Sequence, residues 1–296
     1  MNLGGTIRLN PLGFCIIIGA LILLLFYTFP DSVKIDDVPS TVNLKSLLIA
    51  AIEVAEKGGN AVKSARLEAD LQVKSKGKTK EGVIDPVTSA DFKSHCIMYH
   101  TLVNKFPKLK VISEEHPESS CPDADNLGVD TIGVAGAPLP DVFVPRDDVT
   151  VWIDPLDATK EFTENLLHYV TTMVCVAVKG VPVIGVIHTP FGTAKTAWAW
   201  VGKGGSPEAQ QAVLKDGKTE EVVVAVSRSH AGHVKNKWDV CAGNALLLAA
   251  GGSMTDLHGH KLDYSADTNP LNEQGILATL QDPKPFLEHL EGIELA

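Results

Sequence analysis

Three acidic segments constrain this sequence most, because each one lies where a regular element begins or ends. They are Glu114 after the apolar run 111–113, Asp154 and Asp157 after the run 151–153, and Asp239 at the start of an apolar helical pattern that reaches about Ala250. Hard divalent cations prefer carboxylate and carbonyl oxygens as ligands. A fold that gathers these segments would hold two or three Mg²⁺ ions, and such sites are typical of phosphoryl chemistry.

The middle segment, Asp154-Pro155-Leu156-Asp157, has a turn signal of its own. Pro155 fixes its φ angle and starts a turn, which folds the two aspartates towards each other and leaves the carbonyl of Leu156 free as a further ligand. Each segment also has a simpler structural interpretation: a solvated strand end for Glu114, a helix-capping turn before Thr159, and compensation of the helix dipole by Asp239.

The three segments, read in order as ISEE, WIDPLDATKEF and WDVCAGNALL, resemble the motifs of the lithium-sensitive, magnesium-dependent inositol monophosphatase family. A fourth element, DPVTSAD at residues 85–91, also matches the family pattern. The resemblance covers residues 44–296 and implies an α/β fold, a layered αβαβα sandwich. Many family members form dimers, so a homodimer is expected.

The resemblance also implies a role for each matching residue. The metal ligands would be Glu114, Asp154, the Leu156 carbonyl, Asp157 and Asp239. Asp91 and Thr159 would be the catalytic pair that accepts a proton from water. The substrate would be bound by Ala158, Thr159, Ser227 and His230.

Within the family, Ala158 and the Lys-Glu pair after Thr159 favour the Golgi branch that hydrolyses 3′-phosphoadenosine 5′-phosphate to adenosine 5′-phosphate. Such an enzyme would support sulfation by removing a product of sulfotransferases. The alternative substrates are an inositol phosphate or a sugar bisphosphate. Nucleic acid is not an expected partner, because 26 basic and 36 acidic side chains give a net charge of −10.

The N-terminal region contains an uncharged apolar segment, residues 12–29. As a helix it would extend roughly 27 Å, which spans a thin bilayer. We interpret it as a retained signal-anchor with residues 1–11 in the cytosol, which makes the chain a single-pass type II Golgi membrane protein with a lumenal catalytic domain. A cleaved signal peptide is the competing interpretation. Residues 30–43 would form a linker, followed by an N-terminal subdomain at 44–200 and a C-terminal subdomain at 201–296.

The sequence departs from the family pattern between His230 and Trp238, where only the seven residues 231–237 remain. Family members carry several dozen residues there, comprising a helix, strands and part of the substrate pocket. We therefore expect a shortened C-terminal subdomain with impaired stability and nucleotide affinity. An inactive, internally deleted isoform that retains metal binding is a further alternative.

Hydrophobic periodicity and cysteine spacing predict the regular elements and the state of the thiols. A helix begins at Leu44 and is broken by Gly58 and Gly59, and strands lie at 110–113, 150–153, 170–178, 182–188 and 221–227. The five cysteines have no zinc-ribbon or CxxC spacing, and we expect mostly free thiols.

Overall fold

The computed structural model describes Ile18 and residues 40–68, 71–78, 84–115, 121, 138–210 and 235–290. The chain divides into one unit at Met1–Pro39 and a second at Ser40–Ala296. Apart from Ile18, the expected anchor at 12–29 lies outside the described residues, and so do Ser227, His230 and the expected strand at 221–227. Among the described residues, no helix has both the length and the apolar character needed to cross a membrane.

Fourteen strands and five α-helices make up the described part of the second unit. The strands are β1 (Thr41–Asn43), β2 (Lys74–Lys78), β3 (Ile84–Val87), β4 (Lys110–Ser113), β5 (Phe143–Pro145), β6 (Val149–Asp157), β7 (Thr171–Val178), β8 (Val181–Thr189), β9 (Lys195–Trp200), β10 (Gly204–Gly205), β11 (Lys235–Asn236), β12 (Ser253–Thr255), β13 (Leu271–Asn272) and β14 (Leu277–Thr279). The helices are α1 (Leu44–Arg66), α2 (Ser89–Lys105), α3 (Thr159–Thr163), α4 (Lys237–Ala249) and α5 (Lys284–Leu290), with 3₁₀ turns at Arg146–Asp148 and Leu167–Tyr169.

A six-stranded sheet in the order β10-β9-β8-β7-β6-β4 forms the centre of this unit. Strand β4 runs parallel to β6, and every other neighbouring pair is antiparallel. The expected strands from 110 to 188 are confirmed as β4, β6, β7 and β8, although β6 continues through the Asp-Pro turn to Asp157. Beyond β10, the described strands pair only as two-stranded ladders, β11 with β13 and β12 with β14.

Helices cover both faces of the six-stranded sheet. Val151 and Ile153 of β6 pack in one hydrophobic cluster with side chains of α1 and α2. Trp152, which lies between them, points to the opposite face and packs with Cys241 of α4. Successive residues of a strand face opposite sides of a sheet, so β6 is buried on both. These helix, sheet and helix layers are three of the five in the expected αβαβα sandwich.

Helix α1 begins where the sequence predicts but does not break at the two glycines. Asn43 caps it by accepting hydrogen bonds from the backbone amides of Lys45 (2.9 Å) and Ser46 (3.3 Å). The helix continues to Arg66 because Gly58 and Gly59 allow close packing rather than a turn. A Cβ atom on Gly58 would lie 2.5 Å from Sδ of Met98, and one on Gly59 would lie 2.4 Å from Cδ2 of His188.

The expectation of mostly free thiols is wrong, because four of the five cysteines form two disulfides. Cys96 bonds to Cys121, and Cys175 of β7 bonds to Cys241 of α4. The Cα atoms of the pairs are 5.4 and 5.6 Å apart, within the range that a disulfide bridges. Sequence spacing failed here because each pair meets only after a helix has packed. Cys15 lies outside the described residues.

The contact between α4 and the sheet leads to the first testable prediction. A Cβ atom on Gly185 of β8 would lie only 2.3 Å from the backbone oxygen of Ala242. Gly185→Ala should therefore push α4 off the sheet and lower the free energy of unfolding by about 1–3 kcal/mol, measured by urea denaturation. Gly243→Ala is the matched control. A Cβ atom there meets nothing within 4 Å, so the control should be neutral or stabilising. Equal stability of the two variants would contradict the packing described here.

Candidate metal-dependent active site

Parallel pairing of β4 with β6 brings the first two acidic segments together. Ser113 lies beside Ile153 in the register, and the amide of Glu114 donates a hydrogen bond to the carbonyl of Ile153 at 3.2 Å. Parallel strands end at the same edge of a sheet, so the residues that follow β4 lie next to Asp154. Asp154 is buried, with 1% of its surface exposed.

The third segment reaches the same place from helix α4. Asp239 is the third residue of the helix, and its carboxylate accepts a hydrogen bond from the amide of Asn236 at 3.2 Å, which completes a capping box. Carboxylate oxygens of Glu114, Asp154 and Asp239 all lie within 4.8 Å of one another. The structure thus gathers three of the four carboxylates that were expected to hold metal, Glu114, Asp154 and Asp239. The fourth, Asp157, is near enough for its charge to raise the pKa of Asp154.

The turn after Asp154 contains a bulge that orients the neighbouring oxygens. Pairing between β6 and β7 shifts register from Asp154 to Asp157, and the amide of Leu156 donates to Oδ1 of Asp154 at 3.2 Å. Ala158 follows in the left-handed region with φ of 65°, which is uncommon for a residue with a side chain. This conformation lets its amide donate to the Asp157 carboxylate.

A second group of hydrogen bonds connects Asp91 to Thr159. The backbone amide and the hydroxyl of Thr88 donate to Oδ2 of Asp91 at 2.8 and 2.7 Å. The Thr159 hydroxyl lies 3.0 Å from Oδ1 of Asp91 and 3.1 Å from the Leu156 carbonyl, so it can donate to either oxygen. Asp91 and Thr159, which the family resemblance pairs for proton transfer, are in direct contact.

The sequence analysis missed Lys76, which comes from the β2–β3 hairpin. Its ammonium group donates to Glu114 Oε1 at 2.7 Å and also to Glu115 Oε1. The Lys76 side chain is 24% exposed and that of Glu115 only 5%. The lysine-rich run KSKGKTK indicates a positively charged segment. It does not predict the contact of Lys76 with Glu114, 38 residues away, because that contact depends on how the hairpin packs.

Burial and mutual repulsion disturb the pKa values of the aspartates that follow β6. Burial raises the pKa of Asp154 well above its ordinary value, and the charges of Glu114, Asp157 and Asp239 raise it further. Burial and the charge of Glu114 raise the pKa of Asp157 from 3.8 to about 6. A cation bound among these carboxylates would favour their charged forms and lower the raised pKa values.

Two neighbouring carboxyl groups are shifted in the same direction. Burial raises the pKa of Asp91 from 3.8 to about 6, although hydrogen bonds from Thr88 oppose the shift. Burial also raises the pKa of Glu115 from 4.5 to about 7, against the attraction of Lys76. One lysine therefore compensates only part of the negative charge, and the donor set fits hard divalent cations.

Comparison with known proteins agrees with this geometry. A sequence model of the inositol monophosphatase family matches residues 43–237 and 223–283. The chain belongs to the inositol monophosphatase family. Members of this family are phosphatases, so the chain is a phosphoric monoester hydrolase by family. The acidic group of Glu114, Asp154 and Asp239 is a fitting site for the metal on which the family depends.

Two relatives show how similar the chain is to known members. Inositol monophosphatase 3 of Danio rerio is 38% identical, with 96% of each chain covered. The Golgi-resident adenosine 3′,5′-bisphosphate 3′-phosphatase of Rattus norvegicus is also 38% identical, with 81% of this chain and 79% of that protein covered. The alignment with the Danio protein spans 343 positions although this chain has only 296 residues, so at least 47 positions are gaps in this chain.

Solved structures share the fold at lower identity. The extragenic suppressor protein suhB of Bartonella henselae has a TM-score of 0.57 at 20% identity and covers 84% of this chain and 100% of its own. The inositol monophosphatase of Anabaena has a TM-score of 0.53 at 18% identity, with 85% and 98% covered. The expected mixed α/β fold of the inositol monophosphatase type is therefore confirmed.

The raised pKa values predict how stability depends on pH. A carboxyl group with a raised pKa binds its proton more tightly in the folded state than in the unfolded state, so stability falls as pH rises from about 4 to about 7. A pKa of about 6 for Asp157 instead of 3.8 corresponds to about 3 kcal/mol. We expect the melting temperature of metal-free protein to fall between pH 5 and pH 7, and Mg²⁺ to reverse the fall at pH 7.

Asp154→Asn provides the control for this pH dependence. The variant lacks one of the repelling charges, so its melting temperature should fall less between pH 5 and pH 7. Calorimetric melts in the presence of a chelator measure both proteins. A melting temperature that rises over this interval in both proteins would show that the acidic cluster does not dominate the pH dependence.

Lys76 yields a prediction about charge compensation. Lys76→Met removes the cation paired with Glu114 and Glu115, so metal-free protein should lose about 1 kcal/mol of stability. Mg²⁺ should then raise the melting temperature more in the variant than in the parent, because the cation replaces the lost charge. Lys74→Met, an exposed change on the same strand, is the matched control and should leave both quantities unchanged. An equal Mg²⁺ response in all three proteins would exclude this role for Lys76.

Proposed function

We propose that this phosphatase removes the 3′-phosphate of 3′-phosphoadenosine 5′-phosphate and releases adenosine 5′-phosphate and inorganic phosphate. The observation that carries the proposal is the convergence of Glu114, Asp154 and Asp239 beside the Asp91–Thr159 pair. The substrate is supported by the relatives from Rattus norvegicus and Mus musculus, both named Golgi-resident adenosine 3′,5′-bisphosphate 3′-phosphatase and both 38% identical.

The proposed site holds two or three Mg²⁺ ions through the ligand set Glu114, Asp154, the Leu156 carbonyl, Asp157 and Asp239. When bound, these ions lower the pKa of a coordinated water and offset the negative charge of the phosphate. The role of the protein is to direct its carboxylates at one small volume, and the end of β4, the end of β6 and the start of α4 supply them.

Thr159 and Asp91 receive the proton of the attacking water. The Thr159 oxygen accepts a hydrogen bond from the water while its own proton is donated to Oδ1 of Asp91, 3.0 Å away. As the water oxygen bonds to phosphorus, its proton moves to Thr159 and the hydroxyl proton moves to Asp91. The bond between phosphorus and the 3′-oxygen breaks, and that oxygen takes a proton from solvent. Asp91 suits this step because burial raises its pKa to about 6, near neutral pH.

The remaining parts of the proposal rest on the sequence and its relatives. Ala158, Thr159, Ser227 and His230 would bind the substrate, residues 12–29 would anchor the chain as a type II protein of the Golgi membrane, and the chain would form a homodimer. Two disulfides support an oxidising compartment such as the secretory lumen. Subdomains at 44–200 and 201–296 also remain part of the proposal.

Two other functions are favoured by specific observations. The relative from Danio rerio is named inositol monophosphatase 3 and is equally similar, which supports an inositol phosphate as substrate. The gaps of at least 47 positions support a chain that binds cations but does not turn over a nucleotide.

A phosphate-release assay on the full chain in detergent distinguishes these functions. With Mg²⁺, we expect the fastest release from 3′-phosphoadenosine 5′-phosphate, slower release from inositol 1-phosphate and fructose 1,6-bisphosphate, and inhibition by lithium. Thr159→Ala should lower kcat by about 10²–10⁴, and Thr159→Ser, which keeps the hydroxyl, should lower it much less. Asp154→Asn is the inactive control.

Phosphate release and melting measurements together have two outcomes that contradict the proposal and a third that bears on the shortened segment. Faster release from inositol 1-phosphate would assign the chain to the inositol phosphatases. A Mg²⁺-dependent rise in melting temperature without phosphate release from any substrate would show an inactive chain that retains cation binding. Full nucleotide turnover with a single cooperative melt would refute the expected impairment by the shortened segment.

A further inference from the structure

Three residues in one row across the central sheet form the surface on which α4 packs. Trp152 of β6 lies opposite Cys175 of β7, and Cys175 lies opposite Gly185 of β8. Each member of the row meets the start of α4. The three contacts are Trp152 with Trp238, whose ring centroids are 6.3 Å apart, Cys175 bonded to Cys241, and Gly185 close against the backbone oxygen of Ala242.

Only one of these contacts is covalent. Packing between aromatic rings and close approach of a helix to a glycine both allow the helix to rotate or slide by small amounts. The bond between Cys175 and Cys241 limits both movements, because it keeps one point of the helix within a fixed range of one point of the sheet. Both cysteines are at most 1% exposed, so the bond lies inside the layer between α4 and the sheet.

The disulfide lies close to the acidic cluster both on helix α4, which carries Asp239, and on the sheet, which carries Asp154. Asp239 is two residues before Cys241, or about 3 Å along the helix axis. Asp154 is two residues after Trp152, the partner of Cys175 in the register. A rotation of α4 by about 20° would move a carboxylate at a radius of about 5 Å by roughly 2 Å. Mg²⁺ requires ligands at 2.0–2.1 Å with near-ideal geometry, so a displacement of that size would lose Asp239 as a ligand.

The N-terminal end of α4 has no direct strand connection to the central sheet within the described residues. Strand β11, which leads into α4, pairs with β13, and the amide of Lys237 donates to the carbonyl of Pro270. Both of these contacts attach the helix to the C-terminal segment. That segment is in turn hydrogen-bonded to the sheet, where Trp152 Nε1 donates to the carbonyl of Tyr264 at 2.9 Å. The disulfide is the covalent link between the sheet that carries Asp154 and the helix that carries Asp239.

We propose that Cys175 and Cys241 are positioning residues of the cation site, whose disulfide sets the rotation of α4 and thereby holds the Asp239 carboxylate against Glu114 and Asp154. This inference rests on the proposed metal dependence of the site. It assigns to the disulfide an effect on cation affinity that is separate from its effect on stability. Changes around metal ligands commonly alter affinity by 10–100-fold without removing a ligand.

The test compares cation affinity in full-chain variants, measured by calorimetric titration with Mg²⁺ at a temperature where circular dichroism shows each protein folded. Cys175→Ser with Cys241→Ser should weaken Mg²⁺ binding by about tenfold or more. Ile52→Ala is the stability control, because Ile52 is buried in the cluster on the other face of the sheet. This control should lose stability and keep its Mg²⁺ affinity. If the double serine variant does not fold, Cys175→Val with Cys241→Ala fills the same buried space without the bond.

Removing the disulfide in an Asp239→Asn background distinguishes an effect on the position of Asp239 from a general loss of stability. Asp239→Asn alone should weaken Mg²⁺ binding, and loss of the disulfide in that background should change the affinity by less than twofold. An equal effect of the disulfide in both backgrounds, or an equal loss in Ile52→Ala, would overturn the inference. Peptide mapping of the unreduced protein that finds free thiols at Cys175 and Cys241 would also overturn it. An Asp239→Asn variant with unchanged Mg²⁺ affinity would refute the metal site itself, together with the inference.

Discussion

The parallel pairing of β4 with β6 is the constraint on which the site depends. It places Glu114 directly beside Asp154, because the two strands end at the same edge of the sheet. The hydrophobic cluster that packs α1 and α2 against one face of the sheet includes residues of both strands. The strand ends therefore cannot move apart without opening this core. The carboxylates are thus forced together by packing energy that has nothing to do with their charge.

That arrangement is electrostatically unfavourable in the absence of a cation. Asp154 is fully enclosed and surrounded by other carboxylates, and the pKa of each shifted member of the group rises. Lys76 of the β2–β3 hairpin compensates negative charge only at Glu114 and Glu115, with which it forms ion pairs. A divalent cation that binds among these carboxylates would stabilise the protein, because a ligand that binds only the folded state shifts the folding equilibrium towards it. The same repulsion that weakens the metal-free protein therefore favours cation binding.

The sequence predicted the parts of this site that depend on local patterns. Apolar runs that end in acids predicted the strand ends, and the acid in the first turn of α4 predicted the position of Asp239. Contacts between distant elements could not be predicted this way. Lys76 reaches Glu114 only because the hairpin folds over the strand end, and the cysteine pairs meet only after α2 and α4 have packed. The glycines of α1 were misread because a glycine needed for close packing looks, in sequence, like one that ends a helix.

The first turns of α4 show how a proposed metal ligand is held by contacts on both sides of it in the chain. Asp239 is positioned by Trp238 before it and by Cys241 and Ala242 after it, all of which pack α4 against the sheet. Its capping box with Asn236 is local to the helix and needs no longer connection. These contacts would keep Asp239 beside Glu114 and Asp154 even if the segment before α4 is shortened, as the family resemblance implies. If the shortened segment impairs nucleotide affinity, as the family resemblance implies, cation binding at the proposed site can therefore persist where nucleotide turnover is lost.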